Sequence, residues 1–174
     1  VDYLFAVSGA SGDLFVVGTK EKITHSELFQ RVEDASRAIA QEFGSDKEFI
    51  IISDNNLFFI VSYLAIMRSG NVPLLIEAQI STEDLTEIIE RSSPAAFFIH
   101  SRHSERGPTG SRVIDEAELA DLRCQGEDLR AAREDTDLAA VVFTSGSTGA
   151  KKGVMVTHGN LRANTESIIE YLGL

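Results

Sequence analysis

The sequence has little cysteine, few basic residues and no long apolar run. Its single cysteine, Cys124, cannot form an internal disulfide, so we expect a reducing, intracellular compartment and a cytoplasmic protein. No histidine lies near Cys124 in the sequence, so we assign it no catalytic role. The chain has 16 lysines and arginines against 27 acidic residues, and its net charge of −11 argues against binding to nucleic acid or to an anionic membrane. The apolar run from Phe58 to Met67 is too short to span a bilayer, and the first residues lack the features of a signal peptide.

Three common motifs are also absent. No Gly-x-Gly-x-x-Gly occurs, which removes the usual dinucleotide-binding fingerprint. A Walker-type phosphate loop fails on spacing, because Lys151 stands five residues after Gly146 and no serine or threonine follows Lys152. A nucleophile elbow, Gly-x-Ser-x-Gly, fails because Ser145 stands at its first glycine position.

What the chain does have is a loop rich in glycine, hydroxyls and lysine. Residues 144–153 read Thr-Ser-Gly-Ser-Thr-Gly-Ala-Lys-Lys-Gly, between the apolar runs 138–143 and 154–156. Such a loop can turn backbone N–H groups and hydroxyls toward a polyphosphate, while glycine permits close approach of the main chain. The alternative is a Gly/Ser hairpin turn without a ligand, although ordinary turns rarely combine this many hydroxyls with lysine.

The loop resembles a known signature. Residues 142–149 followed by 152–154 are similar to the phosphate-loop motif of the AMP-forming adenylate synthetases, which include acyl-CoA synthetases, peptide synthetase adenylation domains and luciferases. Residues 157–161 resemble the segment that follows the loop in that family. Two weaker matches lie upstream in the expected order, at residues 23–28 and at residues 64–74. One departure is Lys151, which stands where the family usually carries proline, so the turn loses a backbone constraint.

The resemblance implies a reaction and a set of ligands. The family uses ATP and Mg²⁺ to convert a carboxylic acid to acyl-AMP with release of pyrophosphate, and passes the acyl group to CoA or to a phosphopantetheinyl carrier protein. By resemblance, hydroxyls and one lysine would hold the departing phosphates while three glycines let the backbone wrap around them. These expected binding residues are Thr144, Ser145, Ser147, Thr148 and Lys152, with Gly146, Gly149 and Gly153.

The family's later motifs, which supply the acidic metal ligand and the catalytic lysine, have no counterpart before Leu174. The resemblance therefore implies that residues 1–174 are the N-terminal subdomain of a larger enzyme and that this piece alone is inactive. The second hypothesis is a truncated module that binds a nucleotide or a partner protein without catalysis.

The first half of the chain predicts an α/β fold. A hairpin is expected over residues 14–24, followed by a helix that starts at the capping pair Thr24 and Glu27 and stops at Gly44. This capping role is favoured over ligand contact. Apolar runs predict strands at 49–52, 72–76 and 95–99, separated by a helix capped by Asp54 or Asn55 and a helix capped by Ser81. Strands alternating with helices indicate a largely parallel sheet with helices on both faces.

The second half predicts a polar loop, a weak helix plus linker over residues 116–137, and a hairpin. Residues 101–112 read as a mobile surface loop, with His100 and His103 solvated because a third metal ligand is missing. Residues 138–143 and 153–157 are expected to form an antiparallel pair that carries the loop, before a helix over 159–172. His158 either orients the loop or begins that helix. Five carboxylates are expected on a solvated face: Glu127, Asp128, Glu134, Asp135 and Asp137.

Overall fold

The computed structural model describes residues 14–17, 21–123, 128, 130–144 and 151–173, with side chains described from residue 22 onward. Cys124 and Glu127 lie outside the described residues. The strands are β1 Leu14–Val17, β2 Glu21–Thr24, β3 Glu48–Ile52, β4 Val72–Ile76, β5 Ala96–Ile99, β6 Val113–Ile114, β7 Leu138–Thr144 and β8 Lys152–Thr157. The α-helices are α1 His25–Phe43, α2 Leu57–Arg68, α3 Thr82–Ser92, α4 Glu116–Asp121 and α5 His158–Leu172.

Six of these strands form one sheet in the order β6-β5-β3-β4-β7-β8. The pairs β5–β6, β3–β5, β3–β4 and β4–β7 are parallel, and only β7–β8 is antiparallel. Strands β1 and β2 form a separate antiparallel hairpin. The predicted α/β class, with parallel units and a terminal hairpin, is confirmed. Within the described residues β6 and β8 are the two edge strands of the sheet.

Both faces of the sheet are covered by helices, as predicted. In β3 the side chains alternate, so that Phe49 and Ile51 join a core formed with α1, α2 and α4, while Ile50 and Ile52 join a second core formed with α3. All four are at most 1% exposed. Burial on both faces is why this strand is a continuous apolar run instead of an alternating one.

The helix boundaries follow local capping. The hydroxyl of Thr24 accepts a hydrogen bond from the N–H of Glu27, and the Glu27 carboxylate accepts one from the N–H of Thr24, which confirms the capping box. Ser81 caps α3 as predicted, and Gly44 ends α1 at φ 76°. The predicted cap of α2 is wrong by one or two residues, because Asn56 accepts the hydrogen bond from Phe59.

The expectation of a mobile loop over residues 101–112 is wrong in its first half. Residues Ser101–Arg106 form a 3-10 helix, and the Arg106 guanidinium donates a hydrogen bond to the carbonyl of Ile80 at 2.6 Å. His100 and His103 are not solvated either, since their side chains are 17% and 16% exposed. His100 pairs with Glu116 at 3.1 Å and His103 with Asp54 at 3.3 Å.

In the acidic connection between α4 and β7, Asp128, Glu134 and Asp135 are exposed as predicted, and some of the carboxylates are also paired. Asp128 binds Arg130 at 2.5 Å, and Asp135 pairs with Arg162 of α5. The Asp137 carboxylate accepts a hydrogen bond from the N–H of Glu134 at 2.8 Å. Asp135 therefore joins this connection to α5, whereas Asp128 and Asp137 make their contacts within it. No helix in the described part of the chain is long and apolar enough to cross a membrane.

Candidate functional site

The β7–β8 hairpin places two of the predicted binding residues opposite each other. Thr144, the last residue of β7, pairs in register with Lys152, the first residue of β8. Directly opposed residues of an antiparallel pair project from the same face of the sheet. Thr144 and Lys152 are both exposed, so a hydroxyl and an ammonium group stand side by side at the base of the loop.

Gly153 has a packing role that the sequence does not reveal. It pairs with Phe143, on the opposite face of the hairpin from Thr144 and Lys152. A Cβ atom at Gly153 would lie 2.8 Å from Cγ1 of Val141 and 3.4 Å from the ring of Phe143. Val141 is a member of the α3-side core, so glycine lets β8 approach that core.

The chain leaves β8 through a tightly capped turn. Thr157 and Asn160 form a capping box at the start of α5, and the N–H of His158 donates to the carbonyl of Asp137 at 3.0 Å. The His158 side chain is 3% exposed, and burial lowers its pKa below the ordinary value. Of the two roles left open for His158, the structure shows the second: His158 is the first residue of α5.

The remaining predicted site residues are Ser145, Gly146, Ser147, Thr148 and Gly149, and these lie outside the described residues. Their role in binding stays a prediction. The structure does show that the loop is held at both ends by paired strands, and that Lys151 is half-buried where it leaves the loop.

A crevice that the sequence does not predict lies at the carboxyl ends of the parallel strands. It has a volume of about 380 Å³ and is lined by residues 53–55 after β3, residues 77–79 after β4, and Val142 and Phe143 of β7. Helices α2 and α3, which follow β3 and β4, pack on opposite faces of the sheet, and open α/β sheets bind ligands where this switch occurs. The sequence signal for it is the polar residues directly after these two apolar strands.

The arrangement suits recognition of an anion. An ammonium group near a charged oxygen contributes about 4 kcal/mol at a separation of about 4 Å and an effective dielectric near 20. An exposed hydroxyl adds a directional donor, and successive backbone N–H groups of a glycine-rich loop form a concave site for phosphate oxygens. The adjoining crevice leaves room for the remainder of a larger molecule.

Two known proteins align with about nine-tenths of this chain. The chain is 29% identical over 161 residues to bacitracin synthase 3 of Bacillus licheniformis, covering 91% of this chain and 2% of that protein. It is 28% identical over 174 residues to 4-coumarate–CoA ligase-like 9 of Arabidopsis thaliana, covering 92% of this chain and 30% of the plant protein.

A solved structure shares the fold. The O-succinylbenzoate coenzyme A synthetase MenE of Bacillus subtilis, in complex with ATP and magnesium ion, superposes with a TM-score of 0.77 at 21% identity, covering 94% of this chain and 44% of that one. The chain thus spans less than half the length of each of these three proteins. The sequence profile described as AMP-binding enzyme matches residues 6–173, and the chain belongs to that family.

Proposed function

We propose that this chain is the N-terminal subdomain of a longer enzyme that activates a carboxylic acid with ATP. The acid's carboxylate attacks the α-phosphorus of ATP, an acyl adenylate forms and pyrophosphate leaves. The acyl group then passes to a thiol, on CoA or on a phosphopantetheinyl carrier protein. A relative named as a CoA ligase supports CoA as one of these acceptors.

The observation that carries the proposal is the register of the β7–β8 hairpin. Thr144 and Lys152 share one face at the base of the glycine- and hydroxyl-rich loop. From there they bind the β- and γ-phosphates, together with the backbone and hydroxyls of residues 145–149. In phosphoryl chemistry the protein contributes mainly alignment and charge stabilisation. A positioned hydroxyl and a lysine are therefore a sufficient contribution to the reaction from this subdomain.

Magnesium is expected to offset the phosphate charge. Within the described residues no three His, Cys, Asp or Glu side chains converge to form a metal site. By resemblance, the acidic ligand of Mg²⁺ lies beyond residues 1–174, and the part that we propose for Thr144 and Lys152 is to hold the phosphates. The crevice beside Val142 and Phe143 would take a neighbouring portion of the substrates.

The proposal is tested in the longer protein by exchange of labelled pyrophosphate into ATP. Thr144→Ala combined with Lys152→Ala should slow acid-dependent exchange at least about tenfold, because charge-assisted contacts to the phosphates are lost. Thr82→Ala combined with Lys47→Ala is the matched control, since both residues are exposed and lie outside the hairpin. Near-normal exchange in the first variant would remove the hairpin from the reaction.

The 174-residue chain alone should bind ATP weakly and form no acyl adenylate, since later parts of the catalytic machinery lie elsewhere. Calorimetry with ATP and Mg²⁺, together with an assay for the adenylate, checks both statements. Saturable ATP binding by a longer protein that never forms an adenylate would favour the non-catalytic module instead.

A further inference from the structure

A second pocket lies between α1, α2 and α4. Its volume is about 330 Å³, at the small end of the range for ligand sites. Its floor is apolar and consists of Phe58, Val61 and Leu119, which are 6%, 4% and 7% exposed. In the sheet order, β3 and β4 separate β5, which ends beside this pocket, from β7, so the pocket is distinct from the hairpin.

Two of the polar residues at the rim already have partners. The Glu116 carboxylate accepts hydrogen bonds from the N–H and the hydroxyl of Ser101, both at 2.7 Å, and pairs with Nε2 of His100 at 3.1 Å. Nδ1 of His100 accepts a hydrogen bond from the N–H of Arg102 at 3.3 Å, which leaves the proton on Nε2 facing Glu116. Both side chains therefore already bind each other and the 3-10 helix, so they are poor binding partners for a ligand with an amino group.

The third charged group at the rim is the exposed side chain of Arg31 on α1. Among the described residues it forms no hydrogen bond and no ion pair. Glu27, one turn earlier, accepts both hydrogen bonds from Thr24 on Oε2 and attracts Arg31 electrostatically, without a direct ion pair. Arg31 is thus a guanidinium beside an apolar pocket, and none of its five donors has an acceptor in the part of the chain that the structure describes.

We propose that this pocket binds a small amphipathic carboxylate, with its apolar body on Phe58, Val61 and Leu119 and its carboxylate on Arg31. A guanidinium matches a carboxylate in charge and in its two-pronged geometry, and the floor removes apolar surface from water. The site does not depend on the proposed function, because it uses none of the hairpin residues. It is a second small-molecule site of the chain.

The experiment compares three probes of similar shape on the ¹⁵N-labelled 174-residue chain by NMR titration. Benzoate should saturate with a dissociation constant of about 1 mM, as expected for a ligand of this size, and shift amides of α1, α2 and α4. Benzamide, which lacks the charge, should bind at least about tenfold more weakly, and benzylamine should not bind. Equal binding of benzoate and benzamide, or tighter binding of benzylamine, would overturn the proposal.

Two pairs of variants locate the site. Arg31→Gln should weaken benzoate binding at least about tenfold, whereas Arg91→Gln, on the opposite face of the sheet and 67% exposed, should leave it unchanged. Ala120→Phe places a ring at the rim of the pocket and should abolish binding. Ala117→Phe, at another exposed position on the same helix that does not line the pocket, should leave binding intact. Loss of binding in both members of either pair, or in neither, would refute the assignment.

Discussion

Nη1 of Arg130, in the connection that precedes β7, lies 2.9 Å from Oε2 of Glu33 in α1, although 97 residues separate the two in sequence. Glu33 is 8% exposed and also pairs with Arg68 of α2 and, at 3.8 Å, with Arg37. One buried carboxylate thus joins two helices and the connection. The path of the chain into the hairpin is fixed by this cluster as well as by the sheet.

We expect Glu33→Gln to lower the free energy of unfolding by about 3 kcal/mol, because it removes the charge of the buried carboxylate that pairs with Arg68 and Arg130. Glu87→Gln is the matched control, since Glu87 pairs with Arg91 at 3.3 Å while both side chains are more than half exposed. That change should cost no more than about 0.5 kcal/mol. Urea denaturation of both variants measures the difference, and equal losses would contradict the structural role of Glu33.

Gly153→Ala should destabilise the chain by about 1–3 kcal/mol, because the added methyl overlaps Val141. Adding Val141→Ala should recover part of that loss, which a double-mutant cycle detects as a coupling energy. Gly107→Ala serves as the control, since its nearest atoms lie at 3.4 Å, an ordinary contact distance. A Gly153→Ala protein as stable as the parent would mean that glycine is present there for the loop alone.

Ser62→Ala should stabilise the protein by about 1 kcal/mol. Ser62 is 0% exposed, and within the described residues its hydroxyl has no hydrogen-bond partner, so its removal relieves a desolvation cost. Ser36→Ala is the opposite case. Ser36 is equally buried, but its hydroxyl donates to the carbonyl of Glu33 at 2.9 Å and accepts from Arg130 at 3.3 Å. Its loss should cost about 1 kcal/mol, and changes of the same sign in both variants would refute the assignment.

His158 should make stability depend on pH. Burial lowers the pKa of its side chain below the ordinary 6.5, so the unfolded chain takes up a proton more readily than the folded one. The stability that the neutral His158 side chain contributes is fully present above pH 6.5. It is lost as the pH falls through the pKa that His158 has in the folded chain. Urea denaturation at about pH 7.5 and about pH 5.5 should show a smaller loss for His158→Gln than for the parent chain. Parallel losses would show that another group is responsible.

Features set by residues within one helical turn were predicted well from the sequence. The capping box of Thr24 and Glu27, the Ser81 cap and the stop at Gly44 depend only on neighbours up to four residues away. The cap of α2 was placed one or two residues early because three polar residues in succession, 54–56, offer similar side chains. The structure identifies Asn56 as the cap, because its backbone is extended at φ −145° and its side chain accepts the hydrogen bond from the N–H of Phe59.

Features set by distant residues were missed. His100 looks solvated in the sequence because its partner Glu116 lies 16 positions away and meets it only once β5 and α4 are in place. The crevice after β3 and β4 likewise depends on which strands are neighbours, and that order cannot be obtained from periodicity. The hairpin was predicted because its two strands are adjacent in sequence, whereas the packing of Gly153 on Val141 requires the register.

The position of β8 at the edge of the sheet has a practical consequence for experiments on this chain. Val154 and Met155 are 50% and 70% exposed there, beside backbone groups that, within the described ranges, pair with β7 on one side only. An exposed edge strand can pair with a strand of another molecule, so concentrated solutions of this chain are expected to aggregate. Dilute samples, or a charged residue engineered at position 155, should keep the material clear enough for the titrations described above.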